Sequence, residues 1–478
     1  MKNWLKTIFS SDSRSLALFR MGLGILLILD ILNRGRDIVA HYTSQGVLPL
    51  DVLQERFFTK GHISIYFFND STWFVSLMFC IALIFAIMFL VGYRTKLATI
   101  VSWFFLISIQ ARNPVLLQGG DILFRLLLFW SIFLPLGRYW SFDNYLKYKN
   151  KKPERIFSIG VVALLLQVIL MYISTGLLKT GNEWIPDGTA VYYALSIDQF
   201  TTNFGYLILS NFALTQFLTY FVWFYWFVGP LLLLVSWKFD FVRMLAISIF
   251  VFLQAGMSLS MKIGLFPWIS IVAILAFLPS SFWDKVLPFF AINKFREKQV
   301  IELTCFNFHK LGAILLVILV SFFFIYGFLW NLESLTNYRI PNEARIIGAV
   351  LRLDQKWDMF SPRPLIDDGW FVIVGNLANG EKIDLFRNGA EVSFEKPQSV
   401  SSMYKNQRWR KYMMNLWLIS HSNYRPYYLT YLCGEWNRTH TDGESLENVE
   451  MIFMREDTLL NYEISNPKRI TISEGTCK

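Results

Sequence analysis

Charged residues interrupt two of the long apolar runs in this 478-residue sequence: Arg20 and Asp30 in one, Asp121 and Arg125 in another. Because an ionisable side chain is costly inside a membrane, it usually faces the interior of a helix bundle and often marks function. Arg20 and Asp30 would lie about 15 Å apart along a helix, too far to pair. Asp121 and Arg125 are spaced i, i+4 and would share a helix face. Asp30 and Arg125 fall at similar predicted depth, so they form either a structural ion pair or part of a functional site.

Lys179 ends a further apolar run and is followed by Trp184. One interpretation is a lysine that extends its amine to the membrane surface beside an interfacial tryptophan. The other is a general base, because burial and nearby positive charge both lower the pKa of a lysine towards neutrality.

The predicted depth of the polar residues in the membrane favours the interpretation of Lys179 as a general base. The other polar candidates also fall at the outer ends of their predicted helices: Asp30, Arg112, Gln118, Asp121 and Arg125. Together with Lys179 they would line one cavity that opens towards the outer leaflet.

Motifs of soluble enzymes and of metal sites are not found in the sequence. It has no GxSxG, HExxH, Walker A or GxGxxG motif, no CxxC pair, and its five histidines lie outside the predicted spans. We therefore expect no metal. Cys433 and Cys477 are either a disulfide or two unrelated thiols, depending on the compartment that they face.

The elements that position these residues are apolar runs of membrane-spanning length. Mean hydropathy is +0.40, and 54% of residues are hydrophobic while 17% are charged, against about 25% charged in soluble domains. A helical span needs about 20 mainly apolar residues. The sequence predicts an α-helical polytopic membrane bundle of about nine spans, over residues 1–331, followed by an extramembrane domain over 332–478. The predicted spans are 16–33, 73–91, 96–111, 122–137, 156–178, 206–235, 243–260, 263–279 and 312–331.

Positive charge alternates between the predicted loops. Lysine and arginine collect before the first span and in every second loop after it. The positive-inside rule then places the N-terminus in the cytoplasm, and nine spans place the C-terminal domain in a periplasm or lumen. The net charge of +10 is therefore a topology signal, and we expect membrane lipid and no nucleic acid as a partner. The first run is interpreted as an anchor, because it lacks a convincing cleavage site.

The C-terminal domain is predicted to be mixed and β-rich. Residues 370–374 form an apolar β-type run, Asn379-Gly380 is a hairpin turn signal, and 382–386 is the expected return strand. Further strands are predicted at 427–432, 449–453 and 469–472, and a helix at 407–418.

Several stretches together resemble one known family. They are residues 15–22 with Asp30, His41-Tyr42 and 46–49; Gly119-Gly120-Asp121 and 140–143; the G…K…W…G pattern of 176–188; and 357–362, which reads W-x-M-F-x-P. In these the sequence is similar to the horizontally transferred transmembrane (HTTM) family, which includes the vitamin K-dependent gamma-carboxylases. The resemblance covers residues 1 to about 365.

The resemblance implies a mechanism. In the carboxylases a lysine deprotonates reduced vitamin K, oxygen converts the quinone into a strong base, and carbon dioxide adds to a protein glutamate that this base has deprotonated. Lys179 matches that lysine, counted from Trp184. A reduced vitamin K or other quinol is then the implied cofactor, with Asp30, Arg112, Asp121, Arg125 and Trp184 as candidate binding residues. A glutamate-containing protein or peptide is the implied substrate.

One departure from the carboxylases puts carboxylation itself in doubt. They have a histidine just before the fourth span, where this sequence reads Ala111-Arg112-Asn113-Pro114. Arg112 is the candidate electrostatic substitute. Two other functions stay open: a non-catalytic scaffold or assembly factor that binds a partner through its C-terminal domain, and a transporter.

Overall fold

The computed structural model describes residues 2–147, 152–234, 239–286, 300–302, 310–459 and 463–477. Parts of the basic loops behind the topology prediction, at 148–151, 235–238 and 287–299, lie outside these ranges. In chain order the helices up to residue 335 are α1 (Lys2–Ile8), α2 (Ser13–Gly35), α3 (Ile38–Tyr42), α4 (Leu50–Arg56), α5 (Thr72–Val91), α6 (Thr95–Arg112), α7 (Gly119–Ser131), α8 (Phe142–Leu146), α9 (Ile159–Leu177), α10 (Ala190–Leu195), α11 (Asn203–Leu209), α12 (Phe212–Leu234), α13 (Asp240–Ser260), α14 (Phe266–Leu275), α15 (Ser280–Val286) and α16 (Lys310–Leu335).

Six of the described helices are long and apolar enough to cross a membrane: α2, α5, α9, α12, α13 and the 311–335 part of α16. A seventh span results if α14 and α15, which meet at a bend of 96°, are counted as one. Each of the nine predicted spans corresponds to a helix, but nine crossings are not confirmed. Two of these helices, α7 and α14, have 13 and 10 residues, fewer than the roughly 20 that a straight span needs. Helix α6 has 18 residues, but Lys96, Gln110 and Arg112 make it less apolar.

Contacts between the ends of the helices define the two ends of the bundle. At one end the start of α2 lies beside the residues after α14, since Ser15 Oγ donates to the Leu278 carbonyl oxygen at 2.8 Å. A small sheet lies there too, with β1 (Ser11–Asp12) antiparallel to β2 (Arg155–Phe157), and β2 parallel to β3 (Val300–Glu302). At the other end the residues after α2 lie beside the residues after α6, since Asn113 Nδ2 donates to the His41 carbonyl oxygen at 3.0 Å. The C-terminal region packs on this second end.

The C-terminal region contains one five-stranded antiparallel sheet and three helices in its described residues. The helices are α17 (Asn342–Leu351), α18 (Gln407–Trp417) and α19 (Arg425–Asn437); the strands are β4 (Asp367–Leu377), β5 (Lys382–Asp384), β6 (Ala390–Glu391), β7 (Leu446–Asp457) and β8 (Lys468–Thr476), in the order β6-β5-β4-β7-β8. Its core lies between sheet and helices, where the rings of Trp417 and Phe453 stack with their centroids 4.1 Å apart.

Most of the predicted C-terminal elements are confirmed. Strands β4, β7 and β8 contain the predicted segments, and α18 ends one residue before the predicted helix does. The Asn379-Gly380 turn joins β4 to β5, which covers 382–384 of the predicted return strand. The strand predicted at 427–432 is wrong, because these residues belong to α19. Aromatic and β-branched side chains suggested a strand there, but the buried residues Tyr428, Leu429 and Cys433 lie on one face of a helix.

The two cysteines of this region form a disulfide. Cys433 of α19 is bonded to Cys477 after β8, with their Cα atoms 5.4 Å apart. Of the two alternatives that the sequence left open, the structure has the disulfide, which ties the last strand to the helix that covers it.

Candidate functional site

A cavity of about 650 Å³ lies where the bundle meets the C-terminal region. Helices α7, α9, α12, α13 and α14 supply its bundle side, and residues 352–365 and α18 supply the other side. Its volume falls within the roughly 300–1,000 Å³ of small-molecule pockets. The charged residues that line it are Arg125, Lys179, Arg352, Asp354, Lys356, Asp358, Arg363, Arg410 and Lys411.

Lys179 lies in the wall of this cavity, two residues beyond the end of α9. It is only 5% exposed. Its Nζ donates to the Met359 carbonyl oxygen at 2.8 Å and lies 4.4 Å from the ring centroid of Trp184. Burial lowers the pKa of Lys179 to about 7, although Asp358 opposes the change. A substantial fraction of Lys179 is therefore uncharged at neutral pH and able to accept a proton.

Trp184 is fixed by the segment that covers the cavity. Its Nε1 donates to the Phe360 carbonyl oxygen at 3.1 Å, and Gly181 N donates to the Pro362 carbonyl oxygen at 2.9 Å. A Cβ at Gly181 would come within 2.9 Å of Pro362 O and of Arg363 Cβ, so glycine permits this close approach. The segments 176–188 and 357–362, far apart in sequence, therefore form one structural unit around Lys179.

Arg125 also lines the cavity, but it does not pair with Asp30. Its Nη2 lies 2.7 Å from the Asp354 carboxylate, and its Nε donates to the Arg352 carbonyl oxygen at 3.0 Å. Burial raises the pKa of Asp354, but Arg125 and Arg352 outweigh it and hold that pKa below its usual value. The Asp30–Arg125 pair considered from sequence is therefore wrong, and Arg125 instead anchors the covering segment to α7.

Asp30 and Asp121 belong to a separate buried ion cluster. Arg34, one turn after Asp30 in α2, bonds to both carboxylates. Arg408 of α18 also bonds to both, at 2.7 Å to Asp30 and 2.8 Å to Asp121. All four side chains are at most 5% exposed. The two arginines balance the two aspartates, so this cluster joins α2, α7 and the C-terminal region and leaves no charge unpaired.

Arg112 lies apart from both groups. Its Nη2 is 3.6 Å from the Asp70 carboxylate, and its Nη1 donates to the Leu48 carbonyl oxygen at 2.9 Å. It is not among the residues that line the cavity. The single cavity expected from sequence therefore contains Lys179, Trp184, Arg125 and Gln118, whereas Asp30, Asp121 and Arg112 lie elsewhere.

Seven charged residues of the cavity wall were missed by sequence reasoning: Arg352, Asp354, Lys356, Asp358, Arg363, Arg410 and Lys411. A signal existed for the last two, since 408–411 reads Arg-Trp-Arg-Lys within a predicted helix. Nothing in the sequence shows that Arg408 enters the bundle while Arg410 faces the cavity. Arg34 is the other omission, and its i, i+4 spacing from Asp30 was the signal that could have indicated this pair.

One group of carboxylates among the described residues has a spacing that could hold a metal ion: Asp198, Asp368 and Glu456. Lys396 Nζ lies 2.7 Å from Asp198 and 2.5 Å from Glu456. Burial raises the pKa of Asp368 to about 7. The lysine already supplies the positive charge that a cation would bring.

Comparison with models of known protein families shows to which family the chain belongs. Residues 10–283 match the model of the HTTM domain. The chain belongs to the HTTM family. With its apolar helices, this HTTM protein is a multi-pass integral membrane protein. Comparisons with curated proteins and with solved structures give no match.

Proposed function

We propose that this HTTM protein is a quinol-dependent membrane enzyme in which Lys179 takes a proton from a quinol head bound in the cavity. The observation that carries the proposal is a buried lysine with a pKa of about 7 in the wall of a cavity of about 650 Å³. A structural lysine at a helix end would extend towards water instead.

The cavity residues fit a quinol. Apolar and aromatic side chains on the bundle side suit a ring with a prenyl tail: Met171, Tyr172, Val222, Met257 and Phe266. Two lining residues also have a buried polar atom without a hydrogen-bond partner, Trp226 Nε1 and Gln254 Oε1. One is a donor and one an acceptor, as the oxygen atoms of a quinone and a quinol require.

The residues around Lys179 prepare it for proton transfer. The Met359 carbonyl oxygen and the Trp184 ring fix the position of Nζ, so little rearrangement precedes the reaction. Proton uptake creates an ammonium ion that Trp184 stabilises through its ring face and that Asp358 favours. With molecular oxygen as the oxidant, a bound quinol would supply the strong base needed to remove the γ-proton of a glutamate side chain, to which carbon dioxide would then add. A glutamate-containing protein or peptide is the substrate that we propose.

The test is turnover of purified protein in lipid nanodiscs with reduced vitamin K or menaquinol, labelled carbon dioxide and a glutamate-rich peptide. Lys179→Ala is expected to lower quinol oxidation and carbon dioxide fixation at least 100-fold. Lys147→Ala is the matched control, because that side chain is 62% exposed and pairs with Asp143 after α7, at the opposite end of the bundle. Quinol oxidation without carbon dioxide fixation would retain the quinol function and exclude carboxylation. Equal turnover in Lys179→Ala would contradict the proposal.

A scaffold or assembly role is the second candidate, and one observation favours it. Strand β8 is at one end of the five-stranded sheet, and most of its residues are exposed or half-buried. An edge strand can accept a strand from a partner protein. Under this alternative the wild-type protein shows no quinol turnover, and replacing Ile470 by proline removes partner capture.

For sidedness we propose a cytoplasmic N-terminus and a periplasmic or lumenal C-terminal region. The alternating basic loops support this, and so does the Cys433–Cys477 disulfide, because such bonds persist in oxidising compartments. In intact cells or sealed vesicles, a membrane-impermeant reductant and maleimide should label both cysteines. Labelling only after membrane lysis would reverse the assignment.

A further inference from the structure

Helix α18 carries two arginines with opposite environments. Arg408 points into the bundle, where its two Nη atoms bond to the Asp30 and Asp121 carboxylates. Arg410, two residues later, lines the cavity and is 4% exposed. Its Nε has no hydrogen-bond partner, and its guanidinium lies 5.8 Å from the ring centroid of Phe200. In the described chain, no carboxylate lies within ion-pair distance of Arg410.

Lys411 adds a second positive charge beside it. It lines the same cavity, and burial together with Arg410 lowers its pKa. The two cavity carboxylates are already engaged: Asp354 by Arg125 and Arg352, and Asp358 by Lys356 at 2.6 Å. The wall near Arg410 and Lys411 therefore has an excess of positive charge that the described residues do not neutralise.

An unpaired buried cation is strongly destabilising unless a partner compensates it. A bound anion is the compensation that a cavity allows. A quinol is uncharged near neutral pH, since phenolic groups ionise at a pKa of about 10. The quinol proposed above therefore leaves this charge uncompensated, and a second ligand group is required.

We propose that Arg410 and Lys411 form a subsite for the phosphate oxyanion of a ligand. The guanidinium is a planar fork that bonds two oxygen atoms, and the lysine is a point charge that meets a third. A phosphate group has more oxygen atoms than a carboxylate, so it can meet the guanidinium fork and the lysine at the same time. An acidic phospholipid headgroup and free inorganic phosphate share this chemistry.

A row of aromatic rings connects the proposed subsite to Lys179, the proposed base. Arg410 lies against Phe200, and the centroids of Phe200 and Phe360 are 6.3 Å apart. Phe360 in turn accepts the hydrogen bond from Trp184, over which Lys179 lies. The subsite does not depend on the quinol function, and its test contains no quinol.

The experiment measures binding of two probes to the full-length protein. In phosphatidylcholine nanodiscs, labelled inorganic phosphate is titrated; in neutral detergent, retention of phosphatidylglycerol from an equal mixture with phosphatidylcholine is measured by native mass spectrometry. Arg410→Gln and Lys411→Gln are each expected to weaken binding of the preferred probe at least tenfold. Arg438→Gln is the control for loss of one positive charge, since that side chain is 71% exposed. Arg410→Lys keeps the charge and should give an intermediate loss.

Loss of phosphatidylglycerol retention would identify a lipid headgroup as the source, and loss of phosphate binding alone would identify a free anion. Either result supports the subsite, provided that the variants unfold at the wild-type temperature. Equal binding by wild type and both glutamine variants would overturn it. So would a wild type that binds neither probe but binds a glutamate-rich peptide through Arg410.

Discussion

The buried ion cluster and the cavity differ in charge balance, although both are formed where the C-terminal region meets the bundle. In the cluster, Arg34 and Arg408 are matched by Asp30 and Asp121, and every charge has a bonded partner. In the cavity, Lys179, Arg410 and Lys411 have no carboxylate within ion-pair distance among the described residues.

This difference separates a structural site from a ligand site. A buried charge that has its partner within the protein holds elements together. A buried charge that lacks one costs free energy in the empty protein, and that cost is offset only when a proton leaves or a ligand arrives. Predicted depth in the membrane placed Asp30, Asp121, Arg125 and Lys179 around one cavity. The ion pairs in the structure assign Asp30 and Asp121 to the cluster instead.

The largest expected effect comes from breaking the cluster. Arg408→Gln leaves Asp30 and Asp121 with one arginine between them, and we expect a loss of about 3–5 kcal/mol in the free energy of unfolding. Arg410→Gln removes a buried charge that has no carboxylate partner, so it should leave the free energy of unfolding unchanged or raise it slightly. Thermal unfolding in nanodiscs compares the two variants directly. Equal destabilisation would remove the distinction between cluster and cavity.

The next effect concerns Lys179 and pH. Its pKa in the folded protein is about 7, against 10.5 ordinarily, so between these values the unfolded chain binds the proton more readily. The contribution of Lys179 to the free energy of unfolding therefore increases as the pH rises from about 7 to about 10, and it stays at its lowest value below pH 7. Lys179→Met should raise the free energy of unfolding on the order of 5 kcal/mol at pH 6, and the gain should shrink by pH 10. Chemical unfolding at both pH values measures it. A variant that is less stable at pH 6 would show that Lys179 is a structural residue.

The smallest effect concerns the support of Lys179. Trp184→Phe keeps an aromatic ring beneath Nζ but removes the hydrogen bond to the Phe360 carbonyl oxygen. We expect a loss of about 1 kcal/mol in stability, with quinol turnover reduced only a few-fold. A complete loss of turnover with normal folding would give the Trp184 Nε1–H a direct part in the reaction.

Local sequence features predicted much of this fold, but not the pairing across it. Apolar runs located the helices, and β-type segments with a turn signal located β4, β5, β7 and β8. The Asp30–Arg34 pair was missed, although its i, i+4 spacing indicates it. The Arg408 partnership could not be predicted, because it joins residues separated by 378 positions.

The cavity was only partly predictable for the same physical reason. The position of Lys179 at a helix end indicated where the base lies. Its burial, however, is created by residues 352–365, which fold back over it from beyond the last helix of the bundle. Depth in the membrane placed Asp30 and Arg125 together, yet Arg125 bonds to Asp354 of that same returning segment.

The central claim is that Lys179 acts as the proton acceptor of the cavity, and the pH dependence of quinol turnover tests it most directly. In wild-type protein, kcat/KM should rise tenfold per pH unit below about 7 and level off above it, because only the uncharged lysine accepts a proton. Lys179→Ala should retain a small residual activity that does not depend on pH. An unchanged profile in Lys179→Ala, or a wild-type rate that continues to rise towards pH 10, would contradict the account.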